Sequence, residues 1–425
     1  MLTRLRLERF KNFRDTTLEL GPLTLLVGTN ASGKSNLRDA FRFLHGVSRG
    51  YTLAEIIGEK WGEGGVLQWR GIRGGTREAT FQAASTFALE IAFTLPDKTG
   101  RQQHGVYRIE VAVGDSDQPP RLVAERLRVS GEAIFDSHPA NDPLLKEKYD
   151  PEHLPIRLKK GGKQRRFGKR MNCLNTRPAL TQVIENPNSP VFVRDAAKLA
   201  LRALESMRFL ELDPEALRRP SLPGQVVLGD KGENLSSVLQ SICTKPELKK
   251  TLASWITELT PMDAADFEFR ADQTGRILVT LVEKNGQKIS AYSASDGTLR
   301  FLAMIAVLLG PEPFRFYFFE ELDNGIHPAR LHLLVDLIER QMTQTAIQIV
   351  ATTHSPELLA LLSKDSLQYA ALVYRLLEHN EAWIKRILDI PDAKRVIEEQ
   401  DLARLHASGW LEDAVAFAHV QEEAA

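Results

Sequence analysis

The chain opens on apolar positions that alternate with basic and polar ones from Leu2 to Phe10, and the alternation resumes from Asp15 to Leu20. Period two marks half-buried strands, so the intervening KNFRD reads as the turn of a hairpin. The unbroken apolar run Leu23 to Val27 follows, as a strand buried in a parallel sheet would. It ends in GTNASGKS, after which Leu37, Phe41 and Leu44 recur at helical spacing within Asn36 to Leu44. The local order is strand, glycine loop, helix.

From Tyr51 to about Arg128, glycines separate short alternating runs such as Phe87 to Leu95 and Tyr107 to Val113, which predicts an antiparallel β lobe. Between Ser130 and Pro190 the chain turns polar, with several prolines, and predicts an insertion with flexible loops. Helical spacing returns over Val191 to Met207 and Asn234 to Leu259. ILVTLVE and QKISAYS flank Asn285-Gly286, a pair expected to supply the positive φ angles of a tight hairpin turn. SASDGTLRFLAMIAVLL then reads as a loop and a buried helix. Two further apolar strands, Phe316 to Phe319 and Ile347 to Ala351, end in EELDNGIHP and TTHSPELL, each followed by a helix. No internal repeat or sustained heptad pattern is visible.

Composition narrows the class. A length of 425 residues predicts two or three subdomains, and 43% hydrophobic with 26% charged residues is ordinary globular composition. Basic and acidic residues balance at 55 each, so any attraction to nucleic acid must come from a local patch. Cys173 and Cys243 lie far apart without a CxxC pattern, which argues against a zinc site or a disulfide framework and fits a cytoplasmic protein. The longest strongly apolar run, Phe301 to Leu309, is about half of the roughly 20 residues that cross a bilayer, so no membrane partner is expected. The amino terminus lacks the continuous apolar stretch of a signal peptide.

The chemistry concentrates in three places. GTNASGKS, Gly28 to Ser35, fits the phosphate-loop pattern GxxxxGK[ST], which chance would produce about 0.01 to 0.02 times in such a chain. Its glycines let backbone N–H groups turn toward phosphates, and the following helix presents its positive end to them. Lys34 would neutralise the β and γ phosphates of ATP, and the Ser35 hydroxyl would ligate Mg2+. Gly28, Asn30, Ala31, Ser32, Gly33, Lys34, Ser35 and Asn36 are therefore the candidate nucleotide-binding residues.

Glu320 and Glu321 close a strongly apolar strand, where carboxylates are costly unless a metal or partner meets them. Glu320 would hold Mg2+ and Glu321 would orient and deprotonate the attacking water. The other reading of the pair is an exposed strand end with two solvated carboxylates. His354 follows the last apolar strand in the order expected of a γ-phosphate sensor, though an isolated histidine there is more often a hydrogen-bonded loop residue.

In this order, and with SASDG at Ser293 to Gly297, the motifs resemble the ATP-binding-cassette heads of the SMC and RecF type. The prokaryotic AAA-family ATPases related to the overcoming-lysogenization-defect proteins are the nearest resemblance. It covers roughly residues 1 to 46 and 225 to 362 and implies an α/β P-loop NTPase fold. The expected architecture is an ABC-type ATPase head with an antiparallel β lobe and a mostly helical insertion. The boundaries read as an N-terminal ATPase lobe over 1–128, an insertion over 129–224, a C-terminal ATPase lobe over 225–375 and an extension over 376–425. One departure is Glu320, which stands where the usual aspartate would be. A glutamine-loop residue is also expected, with Gln68 and Gln82 among the candidates.

The resemblance further implies a homodimer or higher homo-oligomer in which Ser295 and Gly297 of one copy reach the γ phosphate held by another. Asp296 and Arg300 would support that loop, while Arg14 resembles a phosphate-contacting arginine or is a surface hairpin charge. Three loads are conceivable for such a motor: DNA sensing or clamping in antiviral defence, RecF-like repair, and transport, the last disfavoured by the absence of an LSGGQ-like signature. About 70 residues follow His354, too few for the nuclease domain of the overcoming-lysogenization-defect proteins, so a nuclease or other effector is expected in trans. Arg157 to Arg170 holds eight basic residues and no acidic one, a run that could track DNA phosphates or be a solvated loop. Trp410, in HASGWLED, could dock a partner or cover the core.

Overall fold

The alternation at the amino terminus is realised as two antiparallel strands, β1 (Leu2–Phe10) and β2 (Phe13–Glu19). The computed structural model describes residues 1–82, 84–114, 118–138, 150–160, 167–259, 264–310, 316–355, 357–376, 379–390, 393 and 395. The chain divides into two units. The first comprises Met1–Gly21, Gly28–Met207 and Ala371–Arg386; the second comprises Pro22–Val27, Arg208–Ala370 and Ile387–Ala425.

In the first unit, β1 and β2 join β6 (Thr86–Pro96), β7 (Gln102–Ala112), β8 (Arg121–Val129), β9 (Glu132–Asp136), β10 (His153–Lys159) and β11 (Phe167–Leu174). These form an eight-stranded sheet in the order β11-β10-β9-β8-β7-β6-β1-β2. Leu5 and Leu7 on β1 stand opposite Ile91 and Leu89 on β6, and all four are buried. The rings of Phe10 and Phe43 meet Phe87 edge-on at 5.2 and 5.3 Å. Phe43 comes from α1 (Lys34–Ser48), which packs with α3 (Ala179–Glu185) and α4 (Val191–Glu205). The unit is completed by α2 (Leu53–Ile57), the hairpin β4 (Glu59–Trp61) with β5 (Leu67–Arg70), and the hairpin β18 (Ala371–Arg375) with β19 (Ala382–Arg386).

Alternation places Arg4, Arg6 and Glu8 of β1 on the opposite side of the strand from Leu5 and Leu7. Arg4 and Arg126 share Glu90 at 3.0 and 2.9 Å, Arg6 pairs with Asp15 at 2.7 Å, and Arg108 joins Glu8 and Glu110 at 2.7 and 3.0 Å. Such partly exposed pairs contribute about 1 kcal/mol or less each. A different carboxylate is wholly enclosed. Glu125 on β8 accepts hydrogen bonds from Tyr107 Oη at 2.9 Å and from the first two backbone N–H groups of α3, Ala179 at 2.5 Å and Leu180 at 2.7 Å. It thereby caps a helix that has no side-chain cap of its own. Burial outweighs these donors and pushes its carboxyl up to about 7.

The loops predicted for Ser130 to Pro190 give way to β9, β10 and β11, which extend the same sheet. The signal was a weak alternation, with Ile156 and Leu158 buried on β10, obscured by the charges around it. Residues 161–166 of the basic run lie outside the described residues, as does Trp410. The described flanks of the run are strands, with Arg157 opposite Arg170 in register. Among the described strands, β11 ends the sheet and carries Lys169 and Arg170 along it.

In the second unit, β3 (Leu23–Val27), β12 (Met207–Leu210), β16 (Phe316–Phe319) and β17 (Gln348–Thr353) follow the spatial order β12-β16-β17-β3. Both β16–β17 and β17–β3 are parallel, and every residue of β3, β16 and β17 is buried. This explains why these strands read as apolar runs without alternation. Around them lie α5 (Pro214–Leu217), α6 (Leu235–Cys243), α7 (Pro246–Leu259), α8 (Asp296–Leu309), α9 (Leu331–Thr345), α10 (Glu357–Leu361) and α11 (Lys364–Leu367). The single helix expected over Asn234 to Leu259 is two, because Pro246 lacks the N–H that would continue α6 and instead begins α7. Strands β13 (Ala264–Ala271), β14 (Ile277–Glu283) and β15 (Lys288–Ser290) form an antiparallel sheet. The turn between β14 and β15 differs from the expected one. Glu283 donates its N–H to Gln287 O at 2.9 Å, and Gly286 has φ +84° while Asn285 is not in the positive region. A three-residue loop with one left-handed glycine replaces a turn with two.

Candidate functional site

The predicted residues divide between the two units. In the first, the loop after β3 leads into α1, whose N-cap is Gly33 without a side-chain cap and whose first turn has no acidic residue. A fifteen-residue helix with an open N-terminus presents partial positive charge. Lys34 is buried, and its ammonium donates to the carbonyls of Gly28 at 2.5 Å and Thr29 at 2.8 Å, so it is held against the loop. Thr29, Asn30 and Ala31 are exposed at the tip; Ser35 and Asn36 are half-buried. A Cβ on Gly28 would lie 2.1 Å from Val373 O, and one on Gly33 would lie 2.8 Å from Asn12 Nδ2. Ser32 Oγ is buried without a hydrogen-bond partner. An uncapped helix, a buried ammonium and an unsatisfied hydroxyl fit a polyphosphate better than they fit one another.

The turn between β1 and β2 braces this loop. Asn12 donates from Nδ2 to Ser32 O at 3.4 Å and accepts from Asn36 Nδ2 at 2.7 Å. Behind it, Asp39 of α1 pairs with Lys11 at 3.2 Å and Arg73 at 3.1 Å. Burial lowers the affinity of the Lys11 amine for its proton, and Asp39 works against that. Sequence reading missed Asn12, Asp39 and Arg73; the only signal was Asn12 within KNFR. Arg14 follows Phe13 on β2 and is exposed, whereas Asn12 and Phe13 approach Gly33. Gln68 has its amide beside Gly62, and Gln82 adopts φ +49°.

In the second unit, the ends of β16 and β17 gather the other candidates. Glu320 is half-buried and donates its N–H to Leu210 O at 3.2 Å. Glu321 has φ +49°, a left-handed conformation that costs a glutamate on the order of 1 kcal/mol or more. The structure around it holds that conformation. Its N–H donates to Thr352 Oγ1 at 3.0 Å, Leu322 N–H donates to Thr352 O at 3.0 Å, and Asn324 Nδ2 donates to Glu321 Oε2 at 2.7 Å. Thr353 Oγ1 reaches Asp323 Oδ1 at 2.7 Å, and Ser355 N–H donates to Thr353 Oγ1 at 2.8 Å. His354 is exposed between these two residues. Thr352 and Thr353 were not singled out by sequence, because hydroxyls on a buried strand read as β-formers, and Asp323 and Asn324 lay within EELDNGIHP without a role of their own.

Ser295 caps α8, accepting from Thr298 N–H at 3.1 Å. Asp296 is held by Arg218 at 2.6 Å, and the same guanidinium donates to Ala294 O at 3.0 Å. Arg218 therefore supports the loop in the way expected of Asp296 and Arg300.

Among the described residues, no group of three or more histidine, cysteine or acidic side chains could hold a metal. Ser35 and Glu320 each carry a hard oxygen of the kind that Mg2+ takes. Among the described residues, no helix is long and apolar enough to cross a membrane.

The parallel strands, the glycine loop opening α1 and the strand-end carboxylates define a P-loop ATPase head of the ABC type. The profile of the family described as "AAA domain, putative AbiEii toxin, Type IV TA system" matches residues 23–145 and 176–360, more than half of the chain, and the chain belongs to that family. No curated protein matches the sequence. Among solved structures, the chain is similar to the SMC head domain from Thermotoga maritima, at 12% identity and a TM-score of 0.41, over 91% of this chain and 98% of that one. It is also similar to an Smc head bound to the C-winged helix domain of ScpA, at 14% identity and a TM-score of 0.49, over 90% and 96% of the two chains. A third likeness is to the Smc head with an extended coiled coil from Pyrococcus furiosus, at 14% identity and a TM-score of 0.44, over 94% and 98%.

Proposed function

We propose that the chain binds MgATP at Gly28 to Asn36 and hydrolyses it, and that nucleotide closes two copies on one another. The observation that carries the reading is the loop itself: the uncapped α1, the buried Lys34 and the unpartnered Ser32 hydroxyl. Lys34 neutralises the β and γ oxygens, and backbone N–H groups of the loop hold the rest. Ser35 and Glu320 would hold Mg2+, which would supply positive charge to the phosphates. Glu321 takes a proton from the attacking water as the oxygen–phosphorus bond to ADP breaks, releasing ADP and phosphate. Asn324 steadies the carboxylate, and His354 contacts the γ phosphate. Ser295 and Gly297 of a second copy complete the site.

The load we assign to this switch is DNA, along the basic run Arg157 to Arg170, whose described flanks lie on β10 and β11. The family description, which speaks of a toxin and a TA system, supports a role in defence with an effector protein. The test is Glu321→Gln, which keeps hydrogen bonding but removes proton acceptance. Light scattering with MgATP should show an accumulated dimer or higher oligomer, and adding Ser295→Arg should abolish it. Hydrolysis by Glu321→Gln at the wild-type rate would remove Glu321 as the base; an inactive variant of unchanged mass would remove the two-copy site.

A further inference from the structure

The turn that carries Glu321 rests on the first turn of α8. A Cβ on Gly297 would lie 1.8 Å from Gly325 O and 2.9 Å from its carbonyl carbon, so these backbones touch with no room for a side chain. Gly325 itself has φ +80°, and a Cβ there would stand 3.1 Å from Gly297 Cα. Asn324, bonded to Gly325 through the chain, donates its backbone N–H to Glu321 O at 3.0 Å and its side-chain amide to Glu321 Oε2 at 2.7 Å. Any displacement of Gly325 therefore carries the amide that holds the Glu321 carboxylate.

Both sides of the contact are braced. On one side, Ser295 caps α8 and Arg218 ties Asp296 and Ala294. On the other, Thr353 holds Asp323, and Thr352 holds Glu321. The left-handed Glu321 is thus fixed between a strand end and a helix end.

We propose that Gly297 and Gly325 are positioning residues for Glu321, acting through Asn324. The proposal rests on Glu321 as the base. Its consequence is that one element has two tasks: the α8 terminus offered to a second copy's nucleotide also sets the base of its own chain.

Alanine at Gly297 should stabilise the isolated helix rather than weaken it, by up to about 1 kcal/mol. A loss of turnover would come from the contact or from the paired site that Gly297 also faces, and Gly325→Ala, which enters the same contact from a residue assigned no nucleotide, is measured beside it to tell the two apart. Steady-state ATP turnover and calorimetric ATP binding should be measured for the wild type, Gly297→Ala, Asn324→Ala and the double variant. Misplacement by an ångström costs about a hundredfold at a reacting centre, so Gly297→Ala should slow turnover by about tenfold or more. ATP affinity of Gly325→Ala should stay within about twofold, the range of independent sites. The double variant should be no slower than Asn324→Ala, because both changes act on one route. Wild-type turnover by Gly297→Ala, or losses that multiply in the double variant, would overturn the proposal. If Gly297→Ala does not fold, Gly325→Ala enters the same contact from the other side and takes its place in the cycle. Glu321→Gln separates the two readings: if it is inactive while Gly297→Ala is fully active, only the positioning role falls.

Discussion

The backbone N–H of Glu321 donates to the hydroxyl of Thr352 at 3.0 Å, joining the end of β16 to the end of β17. Thr352→Val keeps the shape of the strand but leaves that N–H without its acceptor, at a cost of about 1 to 3 kcal/mol. The left-handed Glu321 should relax once the bond is gone. Turnover is expected to fall by about tenfold to a hundredfold while ATP affinity holds. Parallel kinetics and calorimetry check this, and a variant that loses affinity in step with rate would place Thr352 in binding instead.

Lys34→Ala and His354→Ala should separate cleanly. Removing the ammonium takes away a charge-assisted contact of about 1.5 to 3 kcal/mol, so ATP affinity should drop by roughly tenfold to a hundredfold. His354→Ala should keep affinity and slow turnover only. Calorimetry with ATP decides the first, and single-turnover hydrolysis the second.

The basic run makes a prediction about salt. Each phosphate neutralised contributes about 0.9 to the slope of log affinity against log salt. Arg165, Arg166, Lys169 and Arg170 changed together to Ala should lower that slope for duplex DNA by about three to four and weaken binding. Fluorescence anisotropy across a salt series measures it; an unchanged slope excludes the run as the contact. The ATPase rate without DNA should stay the same.

Glu125 makes the stability of the chain depend on pH. Its folded carboxyl titrates near about 7 instead of the ordinary 4.5, so between those values the folded state retains a proton that the unfolded state has lost. The contribution is fully present below about 4.5 and disappears as pH rises through about 7, amounting to about 3 kcal/mol. Glu125→Gln cannot titrate. The difference in denaturation midpoint between wild type and variant should therefore shift against the wild type from pH 5 to 7.5. A constant difference would mean that the carboxyl is ionised throughout.

Strands buried on both faces were the most readable elements. Leu23–Val27 and Phe316–Phe319 match their predicted limits, because a buried parallel strand admits only apolar residues. The glycine loop was readable for a related reason: a backbone that turns its N–H groups inward restricts which residues fit. What escaped was support acting through side chains far apart in sequence. Asn12 bracing Ser32, Arg218 holding Asp296 and Thr352 holding Glu321 depend on tertiary proximity that spacing does not encode. The β9–β11 strands were missed because their outward residues are charged and their alternation is short.

Among the described strands β11 stands at the end of its sheet, which gives Lys169 and Arg170 a second consequence. An unpaired sheet edge is a template on which another chain can add a strand, and cations along it discourage that addition. If two β11 edges met antiparallel, their lysines and arginines would face like charges. The residues proposed to hold DNA phosphates would therefore also discourage strand addition at this edge. Stripping them for the salt experiment would remove that discouragement as well, so the variant's mass in solution should be followed beside its affinity.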